Sequence, residues 1–517
     1  MTDSDQAPEV ELLRKPRPRY ELLRFVLLRL LGFVYLAAFY SLATQVRPLL
    51  GQDGLTPAAR YLGRIIAASS RWQGFVRLPS LFFVHVSDGL LIGLAWAGVL
   101  LSLLVLCGYA NALLLAVLWA LYLSYVHIGQ IWYGYGWELL LCETGFLAIF
   151  LVPLLDGRPF PRRPAPEPVI WLFRWLALRV MLGAGLIKLR GDPCWRDLTC
   201  LDFHFETQPL PSPLTPLFHF LPAWAHKLGV LTNHLCELVL PLFVFGPKLA
   251  RRVAGLGMIA FQGLLILSGN LSFLNWLTIV PLLACLDDAL LMRGLPRRLG
   301  ARAREAGDPS RQLPPSLPGR IAVFVVCGLV ALLSIAPTRN LFSREQSMND
   351  AYDPLNLVNT YGAFGSVGRE RDEILFEGTS DEVPSESSRW VAYEWKCKPG
   401  DVMRRPCILS PIQYRLDWQV WFAAMSDPLS EPWTLYLVHK LLHGDPGTLR
   451  LLEHNPFPER PPRYIRAELY RYHLAPLGDR AWWRREHLQS WLPPLRADDP
   501  GLRALLRQEG FLDEKTP

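Results

Sequence analysis

Long apolar segments occupy most of the first 340 residues of this 517-residue chain and restrict what it can fold into. Hydrophobic residues make up 51% of the sequence and charged residues only 19%. A helix needs about 20 apolar residues to cross the hydrocarbon of a bilayer, and the chain has about nine such segments. They begin near Phe25, Gly89, Ala112, Trp137, Ile170, Leu228, Val253, Leu271 and Ile321. The sequence therefore predicts a polytopic α-helical membrane bundle of about nine spans.

The first apolar segment is predicted to be a retained membrane anchor. It is long, it contains Arg29, and it lacks the small-residue cleavage site that ends a signal peptide. The formal net charge of +7 comes from basic residues in short loops and not from one helical face. We therefore expect these charges to set the topology, and we expect no nucleic-acid partner.

The distribution of Lys and Arg predicts how the bundle is oriented, because basic loops stay on the cytosolic side of a membrane. Loops 129–135 and 268–272, which should be external, contain no Lys or Arg. The external loop 46–86 is an exception with five arginines, and its residues 57–72 have the pattern of an amphipathic helix lying in the interface. The basic segments that should be cytosolic are 1–24, 156–168, 246–252 and 292–320.

This charge pattern predicts three parts of the chain. An odd number of spans places the C-terminus on the side opposite the N-terminus. The predicted parts are a cytosolic segment 1–24, a membrane domain 25–337 with an external loop 189–227 and a cytosolic Arg-rich linker 292–320, and an extracytoplasmic soluble domain 338–517.

The nine cysteines provide an independent indication of orientation. Cys194, Cys200, Cys397 and Cys407 lie in polar segments that the charge pattern places outside the cytosol, where disulfides persist. A zinc site is the alternative, but neither pair has C-x2-C spacing and no matching pair of histidines follows. We therefore predict the disulfides Cys194–Cys200 and Cys397–Cys407, with no metal or other cofactor. The other five cysteines lie within spans: Cys107, Cys142, Cys236, Cys285 and Cys327.

Ionisable residues interrupt several of the apolar segments. A charge at the bilayer centre costs about 2.5–3.5 kcal/mol on insertion scales, so these residues should face the interior of the bundle. They could line a substrate pathway, or they could form interhelical ion pairs such as Glu138 or Glu143 with Arg179 or Lys188. The candidate polar core consists of Glu138, Glu143, Arg179, His234 and Glu237.

A polar, cysteine-bearing loop follows the apolar helix pattern that stops at Lys188. Asp202, His204 and Glu206 alternate within this loop, and an extended backbone would place all three on one face. Such a cluster could bind a metal or act in acid–base chemistry, and the alternative is a polar loop edge.

Beyond Thr338 the pattern becomes that of a soluble α+β, β-rich domain. The domain contains no nucleophile elbow, HExxH, P-loop or kinase signature, which favours a binding role. The glycine-rich residues 362–368 precede a predicted strand and are predicted to form a turn. Exposed Trp482, Trp483 and Trp491 would make a protein-binding face, or they belong to the core. The predicted strands are 373–378, 390–396 and 464–474, and the predicted helices are 417–425, 433–443 and 447–454.

Six long segments, several of them rich in Trp and Cys, are distinctive: 132–154, 181–211, 268–288, 357–367, 393–424 and 451–474. Together they resemble the lipase maturation factor family. This resemblance implies a multi-pass protein of the endoplasmic reticulum membrane, with a cytosolic N-terminus and a lumenal C-terminus. It also implies a maturation factor, not an enzyme, that assists the folding and assembly of secreted, dimeric lipases, which would be its partners.

Two alternatives accompany the resemblance. The one N-x-[ST] sequon, Asn270-Leu-Ser, lies at a membrane boundary, so glycosylation offers no support for a eukaryotic lumen. A bacterial inner membrane is therefore the alternative location. The segment GAGLIKL is similar to the membrane region of vitamin K-dependent carboxylase and its bacterial relatives, in which a lysine is catalytic. That similarity implies an enzyme with Lys188 as base, assisted by His204 or Glu206.

Overall fold

The computed structural model describes residues 20–385 and 387–512 of the chain. Up to Phe342 the described chain is helical, as its apolar segments predict. The helices of this first region are α1 Glu21–Leu50, α2 Ala58–Ala68, α3 Arg71–Arg77, α4 Asp88–Cys107, α5 Ala112–Ile128, α6 Gly136–Ile149, α7 Glu167–Arg190, α8 Pro193–Arg196, α9 Leu201–Thr207, α10 Thr215–His219, α11 Ala223–His234, α12 Lys248–Ser268, α13 Leu274–Leu282, α14 Asp288–Gly294, α15 Arg297–Ala306, α16 Leu317–Leu333 and α17 Ile335–Phe342.

Five helical segments within the described residues are long and apolar enough to cross a membrane. They are α1, α4, α7, α12 and the combined α16–α17 segment. The predicted count of nine is not confirmed: α6 has 14 residues and α13 has 9, which at 1.5 Å per residue is shorter than the bilayer core. Apolar composition marks each of these segments, but it does not show where the helix ends.

Local sequence explains where several helices begin and end. Ser87 caps α4 by accepting a hydrogen bond from the Leu90 amide, and Asn111 caps α5 in the same way. Between them α4 ends at Gly108, whose φ of +119° is a conformation that favours glycine. This turn brings α4 and α5 together as adjacent antiparallel helices.

The loops of the bundle gather at two ends. At one end the basic loop between α6 and α7 meets the start of α1, where the Arg24 guanidinium donates to the Arg163 carbonyl and the Ala165 amide donates to Glu21. At the opposite end the loops meet the C-terminal domain, and the Gln45 amide of α1 donates to the Gln413 carbonyl at 2.7 Å. The basic loops and the C-terminal domain therefore lie at opposite ends of the bundle.

The C-terminal domain is built on a four-stranded antiparallel sheet in the order β2-β1-β5-β6, with a second small sheet of β3 and β4. The α+β class and the strand β1 agree with the predictions, whereas the single strand predicted over 390–396 is divided into β2 and β3, which belong to different sheets. The strands are β1 Arg371–Thr379, β2 Val391–Ala392, β3 Glu394–Trp395, β4 Leu452–His454, β5 Tyr464–Leu474 and β6 Trp483–Arg496. The helices are α18 Arg415–Ala423, α19 Pro432–Leu442, α20 Pro446–Leu449 and α21 Pro500–Gln508.

One helix of this domain was predicted wrongly, and one strand was not predicted. The helix predicted over 447–454 is the short α20 followed by β4. The strand β6 was not predicted, because Pro493 and Pro494 and a run of charged residues disguise it; edge strands tolerate both features.

Aromatic side chains join the domain to the bundle in one continuous core. The Trp132 ring lies 5.5 Å from that of Trp433, and the Trp137 ring lies 5.1 Å from that of Trp418. Trp483 and Trp491 are buried, so these two belong to the core and not to a protein-binding face. The domain is thus packed directly against the bundle and is not joined to it by the connecting segment alone.

Candidate functional site

The end of α7 and the glycine-rich segment 362–368 approach each other at backbone distance. A β-carbon on Gly183 would overlap the Tyr361 carbonyl, and one on Gly191 would overlap the Gly365 carbonyl. The Asp192 amide donates to that same Gly365 carbonyl at 2.8 Å. The glycines are required here because only a hydrogen atom fits between the two backbones.

The Cys194–Cys200 disulfide shapes the loop that follows α7, with 4.7 Å between its α-carbons. The Asp192 carboxylate caps the short helix α8 by accepting from the Cys194 amide at 2.9 Å. The Trp195 indole donates to the Phe364 carbonyl at 2.8 Å. These contacts hold the loop against the first segment of the C-terminal domain.

Lys188 forms a buried ion pair near the C-terminal end of α7. Its ammonium lies 2.6 and 2.7 Å from the two oxygens of Glu237 and donates to the Asn233 side chain at 2.9 Å. The Trp195 ring lies 4.9 Å away, within cation–π range. Glu237 lies in the π turn Leu235–Val239 that follows α11. The partner of Lys188 is thus Glu237, and neither Glu138 nor Glu143 as considered from the sequence.

The environment of Lys188 is that of a structural ion pair. A general base must present a free amine within reach of a proton. Here the ammonium is enclosed by a carboxylate, an amide and an indole. His204 and Glu206, the predicted assistants of such a base, have other hydrogen-bond and ring partners.

Asp202, His204 and Glu206 all lie within the helix α9, so the extended backbone that would place them on one face is not formed. Residues two apart in a helix point in different directions. Their contacts are His226 at 2.7 Å from Asp202, the Phe364 ring at 4.8 Å from the His204 ring, and His473 at 3.1 Å from Glu206. Within the described residues, no three His, Cys, Asp or Glu side chains are grouped so that they could hold a metal ion.

His204 is buried between the loop and the glycine-rich segment. Burial, together with the nearby charge of Lys188, lowers the pKa of His204 to about 4. The imidazole is therefore neutral at neutral pH and packs edge-on against Phe364. His234, a predicted member of the polar core, lies at the edge of the bundle, where its Nε2 is 2.9 Å from the Trp195 carbonyl oxygen.

Glu138 of α6 is paired with Arg415 of the C-terminal domain. Both side chains are fully buried, and the nearest nitrogen and oxygen are 2.9 Å apart. Arg415 also donates to the Trp132 carbonyl and lies over the Tyr133 ring. A carboxylate predicted to face other membrane helices is thus neutralised by a residue 277 positions later in the chain.

Glu143 forms a second connection one turn and a half further along α6. It pairs with Arg179 of α7, as considered from the sequence. It also accepts from the Asn359 amide at 3.0 Å and from the Tyr361 hydroxyl at 2.7 Å. Nothing in the sequence pattern identified Asn359, Tyr361 or Arg415 as partners, because their contacts depend on the packing of the two regions.

Arg371 and Asn270 connect two loops of the bundle to the C-terminal domain. The buried Arg371 guanidinium donates to the carbonyls of Glu206 at 2.8 Å and Pro209 at 3.0 Å. The Asn270 amide donates to the Cys407 carbonyl at 3.0 Å, and its oxygen accepts from the Leu409 amide at 2.9 Å. The sequon asparagine is therefore a buried structural residue.

The Cys397–Cys407 disulfide has 5.4 Å between its α-carbons and lies against α18. A carboxylate oxygen of Asp417 accepts from the Cys397 and Lys398 amides at 2.6 and 2.9 Å. Burial raises the pKa of Asp417 to about 6, although these hydrogen bonds act in the opposite direction.

These features define a polytopic membrane protein whose β-rich domain is fixed to its helices by buried ion pairs and a shaped disulfide loop. Residues 22–293 match the family profile described as Lipase maturation factor transmembrane domain, and residues 357–493 match Lipase maturation factor C-terminal domain. The chain belongs to the lipase maturation factor family.

Curated relatives match almost the whole chain. Lipase maturation factor 1 of Mus musculus is 46% identical, with 92% of this chain and 88% of the relative covered. Lipase maturation factor 1 of Homo sapiens is 43% identical, with coverage of 95% and 90%. Lipase maturation factor 2 of Gallus gallus is 30% identical, with coverage of 94% and 83%. No solved structure matches the chain.

Proposed function

We propose that this protein assists the maturation of secreted lipases, and that it does so by holding partly folded, dimeric clients on its extramembrane surface while they assemble. The observation that carries the proposal is the relationship to lipase maturation factors along both regions of the chain. Partly folded chains expose apolar surface that otherwise aggregates, so a binding protein is sufficient for this role. A domain fixed to the bundle offers such clients a rigid surface at the membrane.

We propose the endoplasmic reticulum membrane as the location, with the N-terminus in the cytosol and residues 338–517 in the lumen. The two disulfides support an oxidising side for the C-terminal domain. The basic loops at the opposite end of the bundle support a cytosolic side there. The named relatives come from mouse, human and chicken, which favours this location over a bacterial inner membrane.

The proposed role is non-enzymatic. The buried ion pair of Lys188 supports a structural use of the residue that the carboxylase-like alternative requires as a base. The two readings are separated by Lys188→Arg, which keeps the charge next to Glu237. A binding protein should retain its function, whereas an enzyme that needs a deprotonated lysine should lose it.

A rescue experiment tests the proposal. Cells that lack their own lipase maturation factors would express this chain together with a secreted lipase, and lipase activity in the medium would be compared with secreted lipase mass. We expect the activity per unit mass to rise. Unchanged activity, with the factor present in the membrane and both disulfides formed, would contradict the proposal.

Deleting residues 338–517 is a poor test of client binding. Without Arg415 and Asn359, the carboxylates of Glu138 and Glu143 would lose partners inside the bundle, and the remaining helices would be destabilised. Photo-crosslinking avoids this problem. A crosslinker at the exposed Met425 should capture the lipase client, and one at the exposed Leu313, in the linker near Arg162 at the other end of the bundle, should not.

A further inference from the structure

An exposed apolar tip interrupts the external loop between α9 and α11. Its large side chains point away from the protein, and Leu217 at its centre is 54% exposed. The tip consists of Leu214, Leu217, Phe220, Leu221 and Trp224. Solvent-exposed groups of this size mark a surface that another apolar phase or partner covers.

The tip is held rigidly by its buried face. The Thr215 hydroxyl donates to the Ser268 carbonyl at 2.9 Å and accepts from the Ser212 amide at 2.8 Å. His226 contacts the Phe218 carbonyl through Nε2 at 2.9 Å. The exposure of the apolar side chains is therefore imposed by the fold and does not result from a loose loop.

The apolar tip continues into an exposed stripe along α11. Trp224, Leu228, Leu231 and Leu235 recur at helical spacing and are exposed, whereas His226 on the other face is buried. The helical segment from Ala223 to Phe243 packs between α7 and α12, which are both long enough to cross a membrane. The exposed apolar stripe of this segment therefore faces the lipid that surrounds α7 and α12. The apolar tip extends this surface beyond the start of α11.

The charge of the segment also fits a lipid surface. No Asp or Glu occurs between Glu206 and Glu237, and Lys227 is the single Lys or Arg in that interval. Trp224, 69% exposed at the beginning of α11, has the position of an interfacial tryptophan. No carboxylate within this interval would repel phospholipid phosphates.

We infer that the tip at Leu214–Trp224 is inserted into the membrane leaflet on the side of the C-terminal domain. The external loop is then attached to the protein through its disulfide half and to the bilayer through its apolar half. Lipid acyl chains and headgroups are the occupant of this surface, and a client protein is not. The inference stands independently of the proposed function, and it assigns client binding to the rest of the extramembrane surface.

Fluorescence of a labelled full-length chain in phosphatidylcholine vesicles tests this inference. A polarity-sensitive probe would be attached to the thiol introduced by Leu217→Cys. Cys107 and Cys327, the two free cysteines that are not buried, would be replaced by serine so that they do not react with the probe. Val383→Cys is the matched control, since Val383 is 79% exposed but is flanked by Asp381 and Glu382. Retention of both disulfides would show that each variant is folded.

We expect lipids with a doxyl group high on the acyl chain to quench the probe at Leu217 by about half, because interfacial segments insert about 5–10 Å. Aqueous iodide should quench the control probe and leave the probe at Leu217 nearly unaffected. Iodide quenching at both positions without doxyl quenching would overturn the inference. Protection of Leu217 from iodide that appears only after a lipase is added would also overturn it, in favour of a protein partner.

Discussion

The buried carboxylates of α6 and the buried carboxylate of Glu237 have their partners in different parts of the molecule. Glu138 and Glu143 reach residues of the C-terminal domain, so they connect the two regions of the chain. Glu237 reaches Lys188 of α7 and connects two helices of the same region. Buried carboxylates of the same kind thus have different consequences: those of α6 attach the C-terminal domain to the bundle, whereas Glu237 joins two helical segments within the bundle.

Removing Arg415 should have the largest effect. Arg415→Met leaves Glu138 buried without its cation, which should lower the free energy of unfolding by about 5 kcal/mol. Unfolding of the protein in mixed lipid–detergent micelles measures this loss. Because one of the two connections between the domain and α6 is lost, limited proteolysis should also cut more readily within residues 343–356, which link the bundle to the domain.

The double variant Glu138→Gln, Arg415→Met is the control for this prediction. It removes the uncompensated charge, so it should recover much of the lost stability. If Arg415→Met alone were as stable and as protease-resistant as the parent, the proposed connection between the two regions would be wrong.

Lys188→Met should have the second largest effect, about 3 kcal/mol, because it leaves Glu237 buried and unpaired. The same unfolding measurement applies. In contrast to Arg415→Met, residues 343–356 should remain resistant to protease, since the broken pair lies within the bundle. Cleavage there in both variants would remove the distinction between the two kinds of ion pair.

Each disulfide should contribute less to the free energy of unfolding than these ion pairs do. The Cys397–Cys407 disulfide should contribute slightly more than Cys194–Cys200. A disulfide that closes a 15-residue loop stabilises a protein by roughly 3 kcal/mol, and shorter loops such as these two give somewhat less. Cys397→Ser with Cys407→Ser should cost about 2.5 kcal/mol, and Cys194→Ser with Cys200→Ser about 2 kcal/mol. Thermal unfolding under non-reducing conditions would rank the two double variants. A larger loss from the Cys194–Cys200 pair would mean that the α7 loop, and not the domain, depends more on its cross-link.

The smallest expected effect is a pH dependence at His204. The pKa of His204 is about 4 in the folded protein, compared with 6.5 for an ordinary histidine in the unfolded chain. At a pH between 4 and 6.5 the unfolded chain therefore binds the proton more readily than the folded protein. The contribution of the neutral imidazole is complete above pH 6.5 and is lost as the pH falls towards 4. Between pH 7.5 and 5.5 it should decrease by about 1 kcal/mol.

His204→Gln tests this assignment, because glutamine does not titrate in this range. The variant should show a smaller loss of stability than the parent between pH 7.5 and 5.5. Equal losses in the two proteins would assign the acid sensitivity to another group, such as His219, whose pKa is also lowered by burial.

Much of the fold could be predicted from residue patterns. All nine apolar segments contain helix, and α18, α19, β1 and β5 lie close to the predicted positions. The number of full-length spans could not be predicted, since hydropathy does not register a helix such as α13 that ends after nine residues. The strand β6 was missed because it contains Pro493 and Pro494, which an edge strand with one unpaired side tolerates and a central strand does not.

The sequence identified some residues of the candidate site, but neither their partners Asn359, Tyr361 and Arg415 nor the geometry of the site. The cysteine pairs follow from their position in polar segments, and the structure forms both disulfides. The segment Asp202–Glu206 was misjudged because alternation of polar residues does not decide between an extended segment and one helical turn. The partners of Glu138 and Lys188 lie far away in the chain, and no local pattern specifies them.

By itself, the sequence determined that the chain forms apolar helices followed by a polar β-rich domain, and which cysteines pair, because periodicity, charge and composition act locally. The tertiary structure alone decided that the domain is fixed to the bundle, that Lys188 is held by Glu237, and that Trp483 is in the core. The physical reason is that a buried charge needs a partner within a few ångströms, and only the packed chain determines which residue arrives there.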